Sequence, residues 1–275
     1  MRVRATAQLA LTALAANKAR TGLTMLGVVI GVAAVVTMMA VGAGAQARVE
    51  EQIRSLGSNL IIVLSGSITT GGVRLGAGSQ LTLTEDDARA MEREVDSVQV
   101  AAPTVRGGVQ VIAANANWST ALFGVTAGFL EARDWETSVG RSLNQEDIDG
   151  ATKVALLGQT VAQNLFGGSD PIGQVIRIKK VPLTVIGVLA RKGQSTQGQD
   201  QDDTVLVPLS TAKKKVLGTS QANARAVNAI LVKVREAGAM KGAEQNIRVL
   251  LRQRHHLQAD QDDDFTLRNL SEILE

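Results

Sequence analysis

The sequence predicts an α+β protein whose mixed body follows a single N-terminal membrane-crossing helix. Three observations carry that prediction. Thr21 to Ala47 is a run of 27 residues without a charge, where about 20 apolar residues suffice to cross a bilayer. Beyond Gly57, short apolar runs bounded by Gly, Ser and Pro alternate with segments of helical period. With 45% of 275 residues apolar, the chain can bury a core, which excludes a disordered protein.

Composition also removes function classes. Four Phe, two Trp and no Tyr leave nothing from which to build a stacking surface for single-stranded nucleic acid. The absence of Cys excludes disulfides, thiolate metal sites and cysteine nucleophiles. The formal charge is +3, but its distribution matters more than its size. Residues 1–47 hold Arg2, Arg4, Lys18 and Arg20 and no acid, whereas the remainder has 25 bases against 26 acids. The basic excess therefore precedes the apolar run, which places the N-terminus in the cytoplasm and the body outside, and points to lipid rather than nucleic acid.

Taken in order, residues 1–20 read as an amphipathic cytoplasmic arm, 21–47 as the membrane helix and 48–57 as a stalk. The uncharged run exceeds the about 7–15 apolar residues of a secretory signal. Gly27 and Gly31 form a G-x-x-x-G pair that lets another helix pack closely in lipid. Val49, Ile53 and Leu56 fall at i, i+4 and i+7 among charged residues and continue the helix past the membrane. At 1.5 Å per residue, Leu23 to Leu56 would reach roughly 51 Å against a hydrocarbon core of about 30 Å.

Asn59 to Leu64 reads as a buried strand, and Ser67 to Ser79, rich in Gly, Ser and Thr, as a mobile loop. Thr84 opens a helix with Asp87 completing a capping box. Strands follow at 98–102, 108–113 and 119–125, then at 153–157. Gln159 to Phe166 reads as a helix stopped by Gly167-Gly168, and 174–178 with 183–188 as a hairpin. Gly193 to Asp203 has no apolar residue and reads as a solvated loop. Strands resume at 205–208 and 229–234, and 240–255 is a helix with Ile247, Leu250 and Leu251 on one face. Leu267, Leu270, Ile273 and Leu274 have helical spacing and predict a final helix.

Catalytic motifs fail one by one. Gly168 to Gly173 has phosphate-loop spacing, but Gln174 stands where a Lys is required. Gly42-Ala-Gly-Ala-Gln-Ala47 imitates a dinucleotide fingerprint at the end of a membrane helix, not after a strand. His255 and His256 are adjacent, so on a helix they cannot share a metal, and they read as a solvated basic face. Asp260, Asp262 and Asp264 open like a calcium loop, but Phe265 replaces the turn glycine and Ser271 the bidentate glutamate. Gly218-Thr-Ser-Gln-Ala222 lacks the second glycine of a nucleophile elbow. Lys213-Lys-Lys215 reads as the exposed face of a short helix, and Asp86-Asp87 and Glu146-Asp147 as acids at helix starts. The residues predict no enzyme, no cofactor and no metal site.

Leu14 to Val36 resembles the first membrane segment of MacB-type (MacB/FtsX-like) ABC transporter permeases. Further matches follow in family order: Ser55-Leu-Gly-Ser-Asn59, Gly140 to Asp147, Val154 to Thr160, Leu165 to Gln174, Val185 to Val188, and Asp262-Asp-Asp-Phe-Thr266. The resemblance implies an inner-membrane protein with a two-part extracytoplasmic domain: a porter-like part at 58–105 and 206–275, and an inserted small α/β subdomain at 106–205. It implies mechanotransmission, in which a separate ABC ATPase drives a pair of permease copies, identical or paralogous, to export or extract a substrate. A periplasmic adaptor or outer-membrane channel would be a further partner. The family continues into three more membrane helices that these residues lack, so the sequence reads as a truncated permease. The rival reading is a single-pass, membrane-anchored binding or sensor module without an ATPase.

Overall fold

The computed structural model describes residues 18–55, 59–66, 69–70, 73–74, 80–195, 198–218 and 224–269, with side chains described for 18–44, 59–66, 80–195, 198–218 and 224–269. The chain divides between Glu51 and Gln52 into two compact units.

The first unit is built on α1, a helix spanning Lys18–Ser55. Within Lys18–Gly44, the most apolar 18-residue stretch has a mean hydropathy of 2.4, and none of it is buried by the described residues. Large apolar side chains stand out all round it, from Leu23 to Val41, so no stripe faces a protein core and the surface suits lipid. Two of its hydroxyls return to the helix, Thr24 Oγ1 donating to Arg20 O at 2.9 Å and Thr37 Oγ1 to Ala33 O at 2.7 Å, which satisfies both donors without water. The arm predicted for 1–20 lies outside the described residues except Lys18–Arg20, which already belong to α1.

The second unit is a mixed sheet dressed with short helices. Its elements run β1 (Leu60–Ser65), β2 (Thr69–Thr70), β3 (Val73–Arg74), α2 (Glu85–Glu94), β4 (Val98–Ala113), β5 (Ala116–Val125), α3 (Gly128–Ala132) and β6 (Thr137–Gly140). They continue with α4 (Gln145–Asp149), β7 (Val154–Leu157), α5 (Gln159–Phe166), β8 (Val175–Ile178), β9 (Val181–Leu189) and β10 (Thr204–Pro208). Last come α6 (Leu209–Thr211), which runs on into a π-helical turn at Ala212–Val216, then β11 (Ala229–Val234), α7 (Met240–Arg254) and β12 (Phe265–Asn269). The strand order is β12-β1-β11-β4-β5-β10-β7-β9-β6, with β8 paired to β4 and β9; β2 and β3 pair only with each other.

Strand β4 organises this sheet. Val98 to Thr104 pair with β11, and Val105 to Ala113 pair with β5, so one strand of 16 residues changes partner along its length. The period-2 alternation of the strands then sorts the apolar residues into two cores. Ile61, Val63, Ile230 and Val232 meet Met91 of α2 and Ile247 and Leu251 of α7 on one side. Leu60, Val100 and Leu231 meet Phe129 of α3 and Trp135 on the other.

Several predicted elements stand as read. Thr84 caps α2 and closes the capping box with Asp87. Helix α5 ends in Gly167 at φ +58°, whose N–H donates to Gln163 O, the left-handed stop that glycine adopts without strain. Others change. The two strands expected at 98–102 and 108–113 are one continuous β4, because pairing with β11 and β5 carries the backbone through Pro103 and the glycines at 107 and 108. The final helix is replaced by a strand where it is described: Phe265 to Asn269 pair antiparallel with Ser65 to Ile61, and the ladder outweighs the helical spacing of the leucines. The loop predicted at 67–79 contains β2 and β3 and otherwise lies outside the described residues.

Candidate functional site

Three places merit weighing: the glycine face of α1, an ionic cluster at the start of α2, and a groove on the sheet. Gly27 and Gly31 lie one turn apart on α1, and a Cβ placed on either would meet nothing within 4 Å. Among the described residues, nothing fills the notch they make. Val49 and Ile53 also lie on α1, but their side chains, and Leu56 altogether, lie outside the described residues.

The ionic cluster gathers α2, the end of α7 and the approach to β12. Asp87 is buried, accepts Arg254 Nε at 2.7 Å and lies 3.4 Å from His255 Nε2. The other ring nitrogen, His255 Nδ1, lies 2.7 Å from Asp264 Oδ1, and Phe265 meets the imidazole edge-on at 6.0 Å. Burial works against the charge on both Asp87 and His255. The hydrogen bonds between Asp87 and His255, with those from Thr84 and Arg254, overcome it and hold Asp87 well below the usual carboxylate range. Those to Asp264 and Asp87 raise His255 to about 9.

The expectation of a solvated histidine pair is therefore corrected for His255, while His256 is exposed as expected. Helix α7 stops at Arg254, His255 is its cap, and the φ of +56° at His256 turns the chain back so that His255 packs inward. With a carboxylate at each ring nitrogen, His255 has no lone pair for base catalysis or for a metal. Among the described residues, no group of three or more His, Asp or Glu could hold a metal ion. Of Lys213-Lys-Lys215, expected as an exposed face, only Lys213 departs: it is buried and paired with Glu85 at 2.6 Å, whereas Lys214 and Lys215 are exposed, Lys215 Nζ donating to Ala151 O at 2.7 Å. In the loop 193–203, Asp202 is buried and accepts the backbone N–H groups of Lys192 and Gly193 at 2.8 and 2.9 Å. It closes the loop where the sequence predicted solvent.

The groove, of about 580 Å³, lies on the sheet face that carries α3. Leu60, Ile62 and Leu64 of β1 and Leu231 of β11 give it an apolar floor; Phe123 of β5 and Phe129 of α3 give it aromatic walls. Two guanidiniums complete it. Arg106 stands 5.3 Å from the Phe123 ring centre, and Arg133 stands 5.9 Å from that of Phe129 and 5.3 Å from that of Trp135. Phe123 and Phe129 are themselves 6.4 Å apart, so three of the chain's six aromatic residues form one ladder with these cations. Gly128 makes the geometry possible, since a Cβ there would lie 2.7 Å from Val100 Cγ1 and push α3 off β4.

The electrostatics of the groove are one-sided. Its described lining contains two arginines and no acid. Arg133 donates to Gln201 Oε1 at 2.8 Å, and among the described residues no carboxylate lies within ion-pair distance of it. Burial lowers its pKa. Behind it, Lys192 donates to Arg133 O at 2.6 Å and sits 5.4 Å from the Trp135 ring centre. Burial, and then the charge of Arg133, push this lysine down to about 8. The sequence reading missed the groove. Its signal was Phe129-Leu-Glu-Ala-Arg-Asp-Trp135, where two of few aromatics flank an arginine.

Comparison with known proteins places these features in context. A family model described as the MacB-like periplasmic core domain matches residues 21–250. The chain is 40% identical over 268 residues to a macrolide export ATP-binding/permease protein MacB of Chlorobium luteolum, covering 98% of this chain and 39% of that protein. It is 39% identical over 263 residues to the protein of the same name from Rhodospirillum rubrum, covering 95% of this chain and 38% of that one. The chain thus spans about two fifths of the length of the curated relatives it matches. In fold it is similar to the periplasmic region of MacB from Actinobacillus actinomycetemcomitans, with a TM-score of 0.65 at 23% identity over 81% of this chain and 94% of that one. It is also similar to the extracellular domain of the noncanonic ABC-type transporter YknZ from Gram-positive bacteria, with a TM-score of 0.59 at 18% identity over 77% and 100% of the two chains.

Proposed function

The chain belongs to the MacB-like periplasmic core domain family, and on that premise we propose that it is the membrane-anchored extracytoplasmic portion of an ABC transporter permease. One observation carries the reading: a single family match spans the apolar helix and the sheet domain together. Helix α1 crosses the inner membrane with its basic start in the cytoplasm, and the sheet domain works outside. ATP hydrolysis by a partner ATPase moves the outer domains of two permease copies, and that movement exports or extracts a substrate. Residues 1–275 contain no G-x-x-x-x-G-K-[ST] phosphate loop, so the hydrolytic site belongs elsewhere in the complex. The outer domain divides at 58–105 with 206–275, and 106–205, a division supported by the exchange of partners along β4 at Thr104/Val105.

The helix has its own prediction. Among the described residues nothing covers Gly27 or Gly31, and lipid provides no hydrophobic drive for helix association, so a close-packed partner helix accounts for two glycines at this spacing. Gly27→Leu or Gly31→Leu in the native-length protein should lower recovery of the partner copy several-fold while leaving membrane insertion intact. Unchanged recovery would remove the packing assignment.

The test of the whole reading is affinity purification of the native gene product from its own membranes, with intact mass. A stoichiometric ABC ATPase, on a second chain or within a mass well above 28.9 kDa, is the expected result. A protein of 28.9 kDa without an ATPase would replace the permease with the anchored binding module, a reading the groove would support.

A further inference from the structure

We infer that the groove between β1, β11 and α3 is a binding site for a small amphipathic anion: an apolar body carrying one carboxylate-type group. At about 580 Å³ its volume falls within the roughly 300–1,000 Å³ of small-molecule sites. The floor of Leu60, Ile62 and Leu231 accepts the apolar body, and Arg106 and Arg133 face it from the aromatic walls.

Three other cations of this domain are held by carboxylates. Arg254 is held by Asp87, Lys213 by Glu85 and Lys233 by Asp134. Arg133 departs from that pattern: it is set against Phe129 and Trp135 with an amide oxygen as its hydrogen-bond acceptor and no described carboxylate in reach. A guanidinium removed from water without an anion carries a desolvation cost, and the ring faces offset only part of it. An arriving carboxylate supplies the missing charge through the planar fork that arginine presents. A cationic ligand would meet two guanidiniums and no described acid, so the groove discriminates by charge sign as well as by shape. The inference stands apart from the permease reading, because binding needs neither ATP nor a partner.

Titration calorimetry of the 275-residue chain in lipid nanodiscs, with empty nanodiscs subtracted, tests it with three matched probes: phenylbutyrate, phenylbutanol and phenylbutylamine. The carboxylate should bind about tenfold more tightly than the alcohol, the value of one charge-assisted hydrogen bond, and the amine should bind most weakly. Arg133→Gln should erase the preference for the carboxylate while leaving the alcohol bound. Arg106 is exposed, so Arg106→Gln tests the same point from the solvent side of the groove, and Arg106→Glu should move the preference toward the amine. Equal binding of carboxylate and alcohol, a preference that survives Arg106→Gln and Arg133→Gln, or no binding at millimolar probe would each overturn the inference.

Discussion

The two units of the chain dispose of apolar surface in opposite ways. In α1 the side chains of Leu23, Met38 and Met39 remain more than 70% exposed among the described residues, a surface that suits lipid rather than water. In the sheet domain Ile61, Val63, Leu156 and Leu251 are sealed to 0–1%, and the charged groups near them are paired. An apolar surface exposed all round one unit and sealed in the other is the pattern expected of a lipid-facing helix beside a water-soluble domain. Within the domain a second contrast repeats the lesson for charge: the cluster around Asp87 neutralises each member, whereas the groove keeps cations on aromatic rings.

The largest effect should come from breaking the paired cluster. Asp87→Asn leaves Arg254 and His255 without their shared carboxylate and weakens the cap of α2, at a cost of about 3–5 kcal/mol, read by urea unfolding. Retention of α1 in the membrane should not change. The mirror experiment is Val32→Asp at the middle of α1, which should cost about 3 kcal/mol of insertion. Carbonate extraction should then release a fraction of the chain, while the domain's unfolding midpoint stays where it was. A variant that moved both readouts would break the comparison between the units.

Next in size is a pH effect with opposite signs at the two charged sites. His255 is raised to about 9 in the folded chain from about 6.5 unfolded. Its contribution is therefore whole below pH about 6.5 and lost as pH rises through about 9. Lys192 is lowered to about 8 from about 10.4 unfolded. Between those values the unfolded chain holds the extra proton, so its contribution grows with pH across that window. His255→Gln should abolish the fall in stability between pH 6.5 and 9 and expose the rise above 8 that Lys192 produces. The smallest effect should be that of Arg133→Gln on stability. Removing a half-buried cation with no described carboxylate should change unfolding by less than about 1 kcal/mol, in contrast to Asp87→Asn.

What was legible in the sequence follows from where the deciding interactions lie. The span in α1, the capping box of Thr84 and Asp87, the helix ending at Gly167 and the hairpin of β8 and β9 depend on neighbours a few residues away, and each was readable. Strand β12 was not, because its ladder joins residues about 200 positions apart and only the partner β1 overrides the helical spacing of Leu267 and Leu270. His255 was misread because its environment is made by Asp87, far away in sequence, once α7 has ended. The groove was missed for the same reason: Arg106 and Arg133 come to line one groove only when β4, β5 and α3 are assembled, and no spacing along the chain records that they do. Gly27 and Gly31 were visible as a motif, and no described residue covers either of them.

The account rests on the helix lying in the membrane and the sheet domain working outside it, and the absence of cysteine from the chain allows a clean test. A single Gln110→Cys, at an exposed position on β4, can be challenged in intact spheroplasts with a membrane-impermeant maleimide. The account predicts labelling before permeabilisation, equal to that after it. Labelling that occurred only after the membrane was opened would contradict it, and would move the domain, its groove and the proposed transport role to the wrong side.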